Sequence, residues 1–261
     1  MKIIVVSPTH GITGARAPIH DMFCRRMAHI REKFGIEMLV IGSDGDVSRE
    51  MTEAHGHMYL EHENYPVSNK WNAGMEKARV LRPDYVMTLD SDDFLSDSLF
   101  EDYLYEANSG KYNFIGVGDS YFTSFHMKRA HFDKCFHWPG YKGGSVIMGC
   151  SRMMRSDVLD CVGWAPWPQG QNYALNNHSH HKISKVKLPP APQRVISVLG
   201  GGHMHIDIKT NGNISSISPL WKGRPLLDYN SLMLEHFPPE ESAILMSYRA
   251  ERVDQYAKRK K

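Results

Sequence analysis

Asp90, Asp92 and Asp93 crowd the end of the apolar run YVMTL, and Ser91, Ser96 and Asp97 lie in the same segment, TLDSDDFLSD. Almost no basic residue stands beside them, so the local sequence does not neutralise these carboxylates. One use for such a pattern is a helix start, where acids favour the dipole; that accounts for Asp97 and Asp93 but not for Asp90 at the end of a strand. A second is a calcium loop: Asp90, Asp92 and Glu101 occupy its first, third and twelfth places, but Phe94 and Leu95 fall where a ligand and the turn glycine are required. The third is a metal-nucleotide site, in which hard carboxylate oxygens hold Mg2+ or Mn2+ and the ion neutralises a diphosphate.

The segment GGGHMHIDIKTNGNISS (200–216) could complete such a site. His203 and His205 alternate, which puts both on one face of a strand, and the preceding glycines let backbone approach a ligand. Lys209, Asn211 and Asn213 follow as contacts for a diphosphate and a sugar. Between 125 and 142, Lys128, Arg129, Lys134 and Lys142 are interleaved with Phe132, Phe136, Trp138, Tyr141 and several histidines. Bases among aromatics suit a nucleic-acid surface, where cations meet phosphates and rings stack on bases, and equally suit a lid over a bound ligand.

These residues need elements to position them. KIIVV (2–6), EMLVIG (37–42), YVMTL (85–89) and NFIGVG (113–118) read as buried strands. Between the first two, Pro18 opens a helical pattern of Ile19, Phe23, Met27, Ile30 and Phe34 that Gly35 closes. Further helices fit 68–81, stopped before Pro83, and 96–108, capped by Ser96 or Asp97. Strands alternating with helices predict an α/β fold with a central, mostly parallel sheet flanked by helices. Ligands of such sheets sit beyond the carboxyl ends of the strands, here Pro8 and Thr9, Ser43 and Asp44, and Asp90 to Asp93.

Four of these motifs, in order, resemble one family. VVSPTHG is similar to the first strand of GT-A glycosyltransferases of the family 2 type, LVIGSDGD to their second strand, VSNKWNAGMEKAR to the helix before the metal motif, and LDSDDFLSD to the aspartate motif itself. The resemblance implies a Rossmann-like GT-A fold and transfer of a sugar from a nucleotide sugar, UDP-linked, with Mn2+ or Mg2+. It implies that Asp90 contacts ribose or sugar, Asp92 is the principal metal ligand with His203 or His205 completing the site, and Asp93 supports the donor sugar beside Ser91. Pro8, Thr9, Asp44 and Asn72 would line the nucleoside pocket. Where the family often has Arg before that Asn, this chain has Trp71, and Lys70 is the substitute. DIKTNGNI resembles a segment of phage-encoded glycosyltransferases, which with the bases at 128, 129, 134 and 142 suggests double-stranded DNA carrying hydroxymethylated pyrimidines as acceptor. Saccharide, lipopolysaccharide and protein hydroxyls are the other acceptors in view.

Inverting members of the family use a carboxylate to take the acceptor's proton, yet VGWAPWPQGQNYAL (162–175) offers Gln169, Gln171 and Asn172 where it is expected. Either Asp207 or Asp119 serves as base, or the enzyme is retaining and the departing diphosphate takes the proton. A sugar-nucleotide pyrophosphorylase is the second enzyme reading, its glycine-rich loop imitated by THGITGAR, and a non-catalytic nucleotide-binding module is the third.

The 261 residues are 41% hydrophobic and 23% charged, ordinary globular composition. No apolar run approaches the ~20 residues of a bilayer span, and no signal peptide is evident, so a cytoplasmic location is expected. A net charge of +2 implies no polyanionic partner by itself, and the four separated cysteines suggest reduced thiols. The organisation expected is a GT-A domain over 1–215, split into a nucleotide-sugar half (1–118) and an acceptor and metal-completing half (119–215). A helical extension with a basic tail follows over 216–261.

Overall fold

The computed structural model describes residues 1–12, 16–124, 134–149, 151–172, 175–186, 193–209 and 223–247. The four runs read as strands become β1 (Ile3–Pro8), β2 (Glu37–Gly42), β4 (Tyr85–Thr88) and β6 (Phe114–Val117). With β3 (Met58–Glu61), β9 (Arg152–Arg155) and β10 (Gln193–Ile196) they form a seven-stranded sheet in the order β10-β6-β9-β4-β1-β2-β3. Every neighbouring pair is parallel except those of β9, which runs antiparallel to both β4 and β6.

Alternation along β1 decides which helix covers which face. Ile3 and Val5 pack with Ile19, Phe23 and Met27 of α1 (Ala17–Phe34). Ile4 and Val6 pack with Trp71 and Met75 of α3 (Val67–Val80) on the other side. With both faces covered, apolar side chains are needed at every position of the strand, which is why β1 reads as an unbroken run. α1 has its proline in the first turn and ends at Gly35, φ 70°, whose N–H returns to the Arg31 carbonyl at 2.8 Å. Gly74 of α3 is dictated by packing: a Cβ there would stand 2.2 Å from Ile41 Cδ1 and 2.9 Å from Val6 Cγ1.

A second sheet of five strands, in the order β12-β8-β7-β11-β5, joins β5 (Asp93–Leu95), β7 (Ser120–Ser124), β8 (Lys134–Trp138), β11 (His205–Lys209) and β12 (Leu227–Asp228). Ser96 caps α4 (Asp97–Asn108), its hydroxyl accepting the Leu99 N–H. The segment expected as a helical extension contributes β12, α7 (Tyr229–His236) and a helix over 239–247, and buries Tyr229, Met233 and Leu245 in the same core as α1. α2 (Asp46–Ala54), α5 (Ser156–Cys161), α6 (Leu175–Ser184) and a short 3-10 helix (Tyr141–Gly144) complete the described elements. Among the described residues, no helix is long and apolar enough to cross a membrane.

Candidate active site

Because β1, β2 and β4 are parallel neighbours, their carboxyl ends share one edge, and Pro8, Thr9, Ser43, Asp44 and Asp90 gather there. The ladder continues into the site: the Thr9 N–H donates to the Ile41 carbonyl at 2.9 Å and the Leu89 N–H to the Val6 carbonyl at 3.1 Å. Past Asp90 the chain turns, the Asp93 N–H donating to the Asp90 carbonyl at 3.1 Å, and enters the second sheet as β5.

β5 lies antiparallel to β11 with Asp93 opposite Asp207 and Leu95 opposite His205. The Ile208 N–H donates to the Asp92 carbonyl at 2.9 Å, which makes Asp93 and Asp207 a non-hydrogen-bonded pair, the kind whose side chains come closest. Like charges opposed in this way destabilise a sheet. Asp92, Asp93 and Asp207 each bring a carboxylate oxygen within 4.8 Å of the other two, and all three are buried.

The protein neutralises this cluster only in part. Both oxygens of Asp93 and Oδ1 of Asp207 have no hydrogen-bond partner. Burial, with Asp207, Asp90 and Asp92 as neighbours, pushes Asp93 well above the usual carboxylate range. Burial and then the charge of Asp92 push Asp90 up to about 6. Burial lifts Asp207 to about 7 against the pull of Lys209. Lys209 Nζ stands 2.5 Å from Asp207 Oδ2 and 3.9 Å from Asp92 Oδ2. Burial works against its ammonium, but Asp207, Asp92 and Asp93 outweigh that and hold it above its ordinary value. On the other side, Arg16 lies 3.8 Å from Asp92 Oδ1 and donates to Ser91 Oγ at 3.2 Å.

His205 is fully buried, with Nδ1 2.5 Å from Ser120 Oγ and Nε2 unpartnered, 4.0 Å from Asp93 Oδ1. Ser120 also reaches the Tyr121 and His205 carbonyls, both at 3.1 Å. With the hydroxyl proton given to a carbonyl, Nδ1–H is the donor to Ser120 and Nε2 carries its lone pair toward Asp93. Burial and then Lys209 push this imidazole down to about 3, so it stays neutral. Hard oxygens from three buried carboxylates, three of the oxygens without a hydrogen-bond partner among the described residues, are a donor set that fits a divalent cation, and the neutral His205 Nε2 stands 4.0 Å from one of them.

A cleft beside the cluster is lined by Pro8, Arg16, Lys70 and Trp71 together with Asp90, Asp92 and Lys209. Thr9 keeps an unpartnered buried hydroxyl; Asp44 accepts the Gly11 N–H at 3.1 Å through Oδ1 and leaves Oδ2 without a partner. Lys70, the substitute for the family's Arg, is committed to the strand ends. Its three N–H groups go to the Thr9 carbonyl at 2.5 Å, Ser43 Oγ at 3.0 Å and Asn64 Oδ1 at 3.3 Å, and burial pushes it down to about 8. It ties three strand ends together and shapes the cleft.

Asn72 faces away from the nucleoside side: its amide grips Trp167, donating to the carbonyl at 2.9 Å and accepting the N–H at 3.3 Å. The amides of 162–172 are held against the same helix. Gly170 N–H donates to Asn69 Oδ1 at 3.0 Å, Gln171 N–H to Ser68 Oγ at 2.9 Å, and Asn172 Oδ1 accepts the Val67 N–H at 2.9 Å, capping α3 from outside. Asn172 thus stands where a helix end needs an acceptor, and this loop supplies no base.

Two further expectations are redirected. His203 precedes β11 rather than sharing its face with His205, and bonds Ser98 Oγ at 3.1 Å and Asp102 Oδ2 at 2.9 Å on α4. Asp119 accepts the Val198 N–H at 2.7 Å, the Leu199 N–H at 3.0 Å and His137 Nε2 at 2.7 Å. Burial alone would raise it, but these bonds keep its carboxyl below the usual range and make it the anchor of a turn. Lys134 pairs with Asp228 at 3.7 Å, Trp138 packs edge-on against Tyr141, and Lys142 is exposed. Lys128, Arg129, Asn211 and Asn213 lie outside the described residues. Arg16 is the site residue that the strand-end pattern does not reveal.

No protein-family model and no curated protein sequence matches the chain. Solved structures do. The crystal structure of S. aureus TarS 1-349 in complex with UDP superposes with a TM-score of 0.52 at 11% identity, over 90% of this chain and 64% of that one. The same protein in complex with UDP-GlcNAc gives 0.52 at 12% identity, over 95% and 71%. This chain therefore spans about two thirds of the length of the first structure it matches. At such identities the likeness is one of architecture: the chain has the GT-A fold.

Proposed function

We propose that the chain is a metal-dependent glycosyltransferase that moves a sugar from a UDP-linked donor to an acceptor hydroxyl. The observation that carries this reading is the buried triad of Asp92, Asp93 and Asp207, in which both oxygens of Asp93 and Oδ1 of Asp207 lack a hydrogen-bond partner among the described residues, beside a cleft lined by Arg16 and Lys209. The bound UDP and UDP-GlcNAc of the two TarS structures support the donor class. In this reading Asp92, Asp93, Asp207 and His205 Nε2 hold Mn2+ or Mg2+, which when bound supplies positive charge against the diphosphate. Asp44 Oδ2 and the Thr9 hydroxyl are the unsatisfied groups a nucleoside would pair with, and Asp90 is placed for a sugar or ribose hydroxyl.

The acceptor's proton has two routes. An inverted product requires a carboxylate base, and Asp207 can take that part only if Asp92, Asp93 and His205 hold the metal without it. A retained product sends the proton to the departing diphosphate. NMR of the product's anomeric configuration separates them. The reading as a whole is tested by UDP-sugar turnover with Mn2+: if Asp92→Asn left turnover unchanged, it would be abandoned.

A nucleotidyltransferase is the second reading, favoured by Arg16, which ends THGITGAR and reaches Ser91 and Asp92. Pyrophosphate release from a nucleoside triphosphate and a sugar phosphate would select it. For the acceptor, the interleaved bases and aromatics of 125–142 support duplex DNA with hydroxymethylated pyrimidines over saccharide, lipopolysaccharide or protein hydroxyls. Retention of such a duplex should weaken steeply with salt; no retention, or retention indifferent to salt, removes DNA as the acceptor.

A further inference from the structure

Asp92 lies between two cations of its own chain at nearly equal range, Arg16 at 3.8 Å and Lys209 at 3.9 Å. The three residues come from separate parts of the fold: Arg16 just before α1, Asp92 between β4 and β5, and Lys209 at the end of β11. The two cations are held differently. Lys209 has its close contact elsewhere, 2.5 Å from Asp207. Among the described residues Arg16 has one side-chain hydrogen bond, to the hydroxyl of Ser91 at 3.2 Å, and its distance from Asp92 is about an ångström longer than a charge-assisted hydrogen bond. A guanidinium with five donors and one neutral partner is poised rather than locked. It also lines the cleft.

The charge count points the same way. Asp90, Asp92, Asp93 and Asp207 face Arg16 and Lys209, formally four negative groups against two positive ones, a deficit that one divalent cation would cancel. An ion seated on Asp92 would repel the guanidinium beside it. A diphosphate arriving with that ion offers the planar, paired oxygens that a guanidinium binds two at a time.

We propose that Arg16 is an exchangeable counter-ion: it holds Asp92 while the site is free of metal, yields Asp92 to a divalent cation, and turns to the diphosphate of the nucleotide. Metal and nucleotide then each make room for the other, and the coupling is reciprocal. This rests on the metal-nucleotide reading of the cleft. Arg16 is a positioning residue toward the metal and a direct contact of the nucleotide.

Calorimetry on the full chain tests it, with MnCl2 alone, UDP alone and UDP in saturating Mn2+ as probes. In Arg16→Gln, Mn2+ alone should bind about tenfold tighter and UDP with Mn2+ about tenfold more weakly, so that the coupling between them shrinks. A residue with a merely structural role would not tighten the metal. Arg16→Lys, which keeps the charge but loses the paired donors, should leave Mn2+ affinity near that of the wild type and still weaken UDP. Looser or unchanged Mn2+ binding in Arg16→Gln overturns the exchange while leaving the metal-nucleotide reading intact. A wild-type chain that binds neither Mn2+ nor UDP overturns both.

Discussion

Asp93 and Asp97 sit in one segment, yet the protein treats their charges in opposite ways. Asp97 receives Arg26 at 2.5 Å, Lys33 at 2.8 Å and His29 at 3.0 Å, and Arg26 goes on to Glu241 at 3.1 Å. Arg26 is buried and also gives two N–H groups to the Leu95 carbonyl, at 3.0 and 2.8 Å. Burial alone would raise Asp97, but the bonds from Lys33, His29 and Arg26 hold its carboxyl well below the usual range. At the other end of the three-residue strand β5, Asp93 and Asp207 oppose each other, both oxygens of Asp93 and one of Asp207 lack a hydrogen-bond partner among the described residues, and burial pushes both carboxyls up. One cluster is closed by the protein itself and serves the fold. The other is left open at a cost that folding does not recover, which is the mark of a site kept for a ligand.

Breaking each cluster should therefore have opposite consequences. The largest effect is expected from Arg26→Met, which leaves Asp97 short of a partner and Glu241 without its guanidinium: a loss of about 3–5 kcal/mol, read by denaturant unfolding. A loss under ~1 kcal/mol would mean that the network is no more than a solvated ion pair. Next is Asp92→Asn, for which turnover on the correct donor should drop by about a hundredfold or more, the scale of losing one preorganised charge. Its thermal midpoint should fall by less than that of Arg26→Met. A parallel loss of activity and stability would put Asp92 in the same class as Asp97 and dissolve the contrast.

The contrast was only half legible in the sequence. β1, β2, β4 and β6 are buried on both faces, so their side chains form unbroken apolar runs, and the edge where their ends meet follows from their being parallel. β5 escapes such reading because DFL is too short to carry a period, and its partner β11 is more than a hundred residues further on. Asp207 therefore looks like an isolated acid until the ladder sets it opposite Asp93. Arg16 has no local signal either: it precedes the first turn of α1, and only the fold brings it to Ser91 and Asp92. Lys70 and Asn172 were visible as polar residues near the site, but their work is to satisfy backbone and strand-end acceptors and donors, a need that exists only once the loops are in place.

Smaller effects sharpen the comparison. Asp93→Asn removes a buried charge that has no partner, and should stabilise the metal-free protein by about 1–2 kcal/mol, while the same change at Asp97 should destabilise it. The pH dependences should also run in opposite directions. Asp207 is held at about 7 in the fold against an ordinary value of 3.8, so between about 4 and 7 the folded state binds more protons than the unfolded one. Its contribution to stability is present below that window and is lost as pH rises through it. Asp97 is depressed, so its contribution is present above about 4 and is lost as pH falls through its folded value. His20, pushed down to about 3 by burial, adds a further loss toward acid that both variants share. Differences from the wild type cancel it. In chelator-treated protein the thermal midpoint of Asp207→Asn should gain on the wild type from pH 5 to pH 7.5. That of Asp97→Asn should fall below the wild type by a margin that narrows as the pH drops under 4. A midpoint difference for Asp207→Asn that does not change with pH would show that its carboxylate is neutralised in the fold after all, and would move it from the open cluster to the closed one.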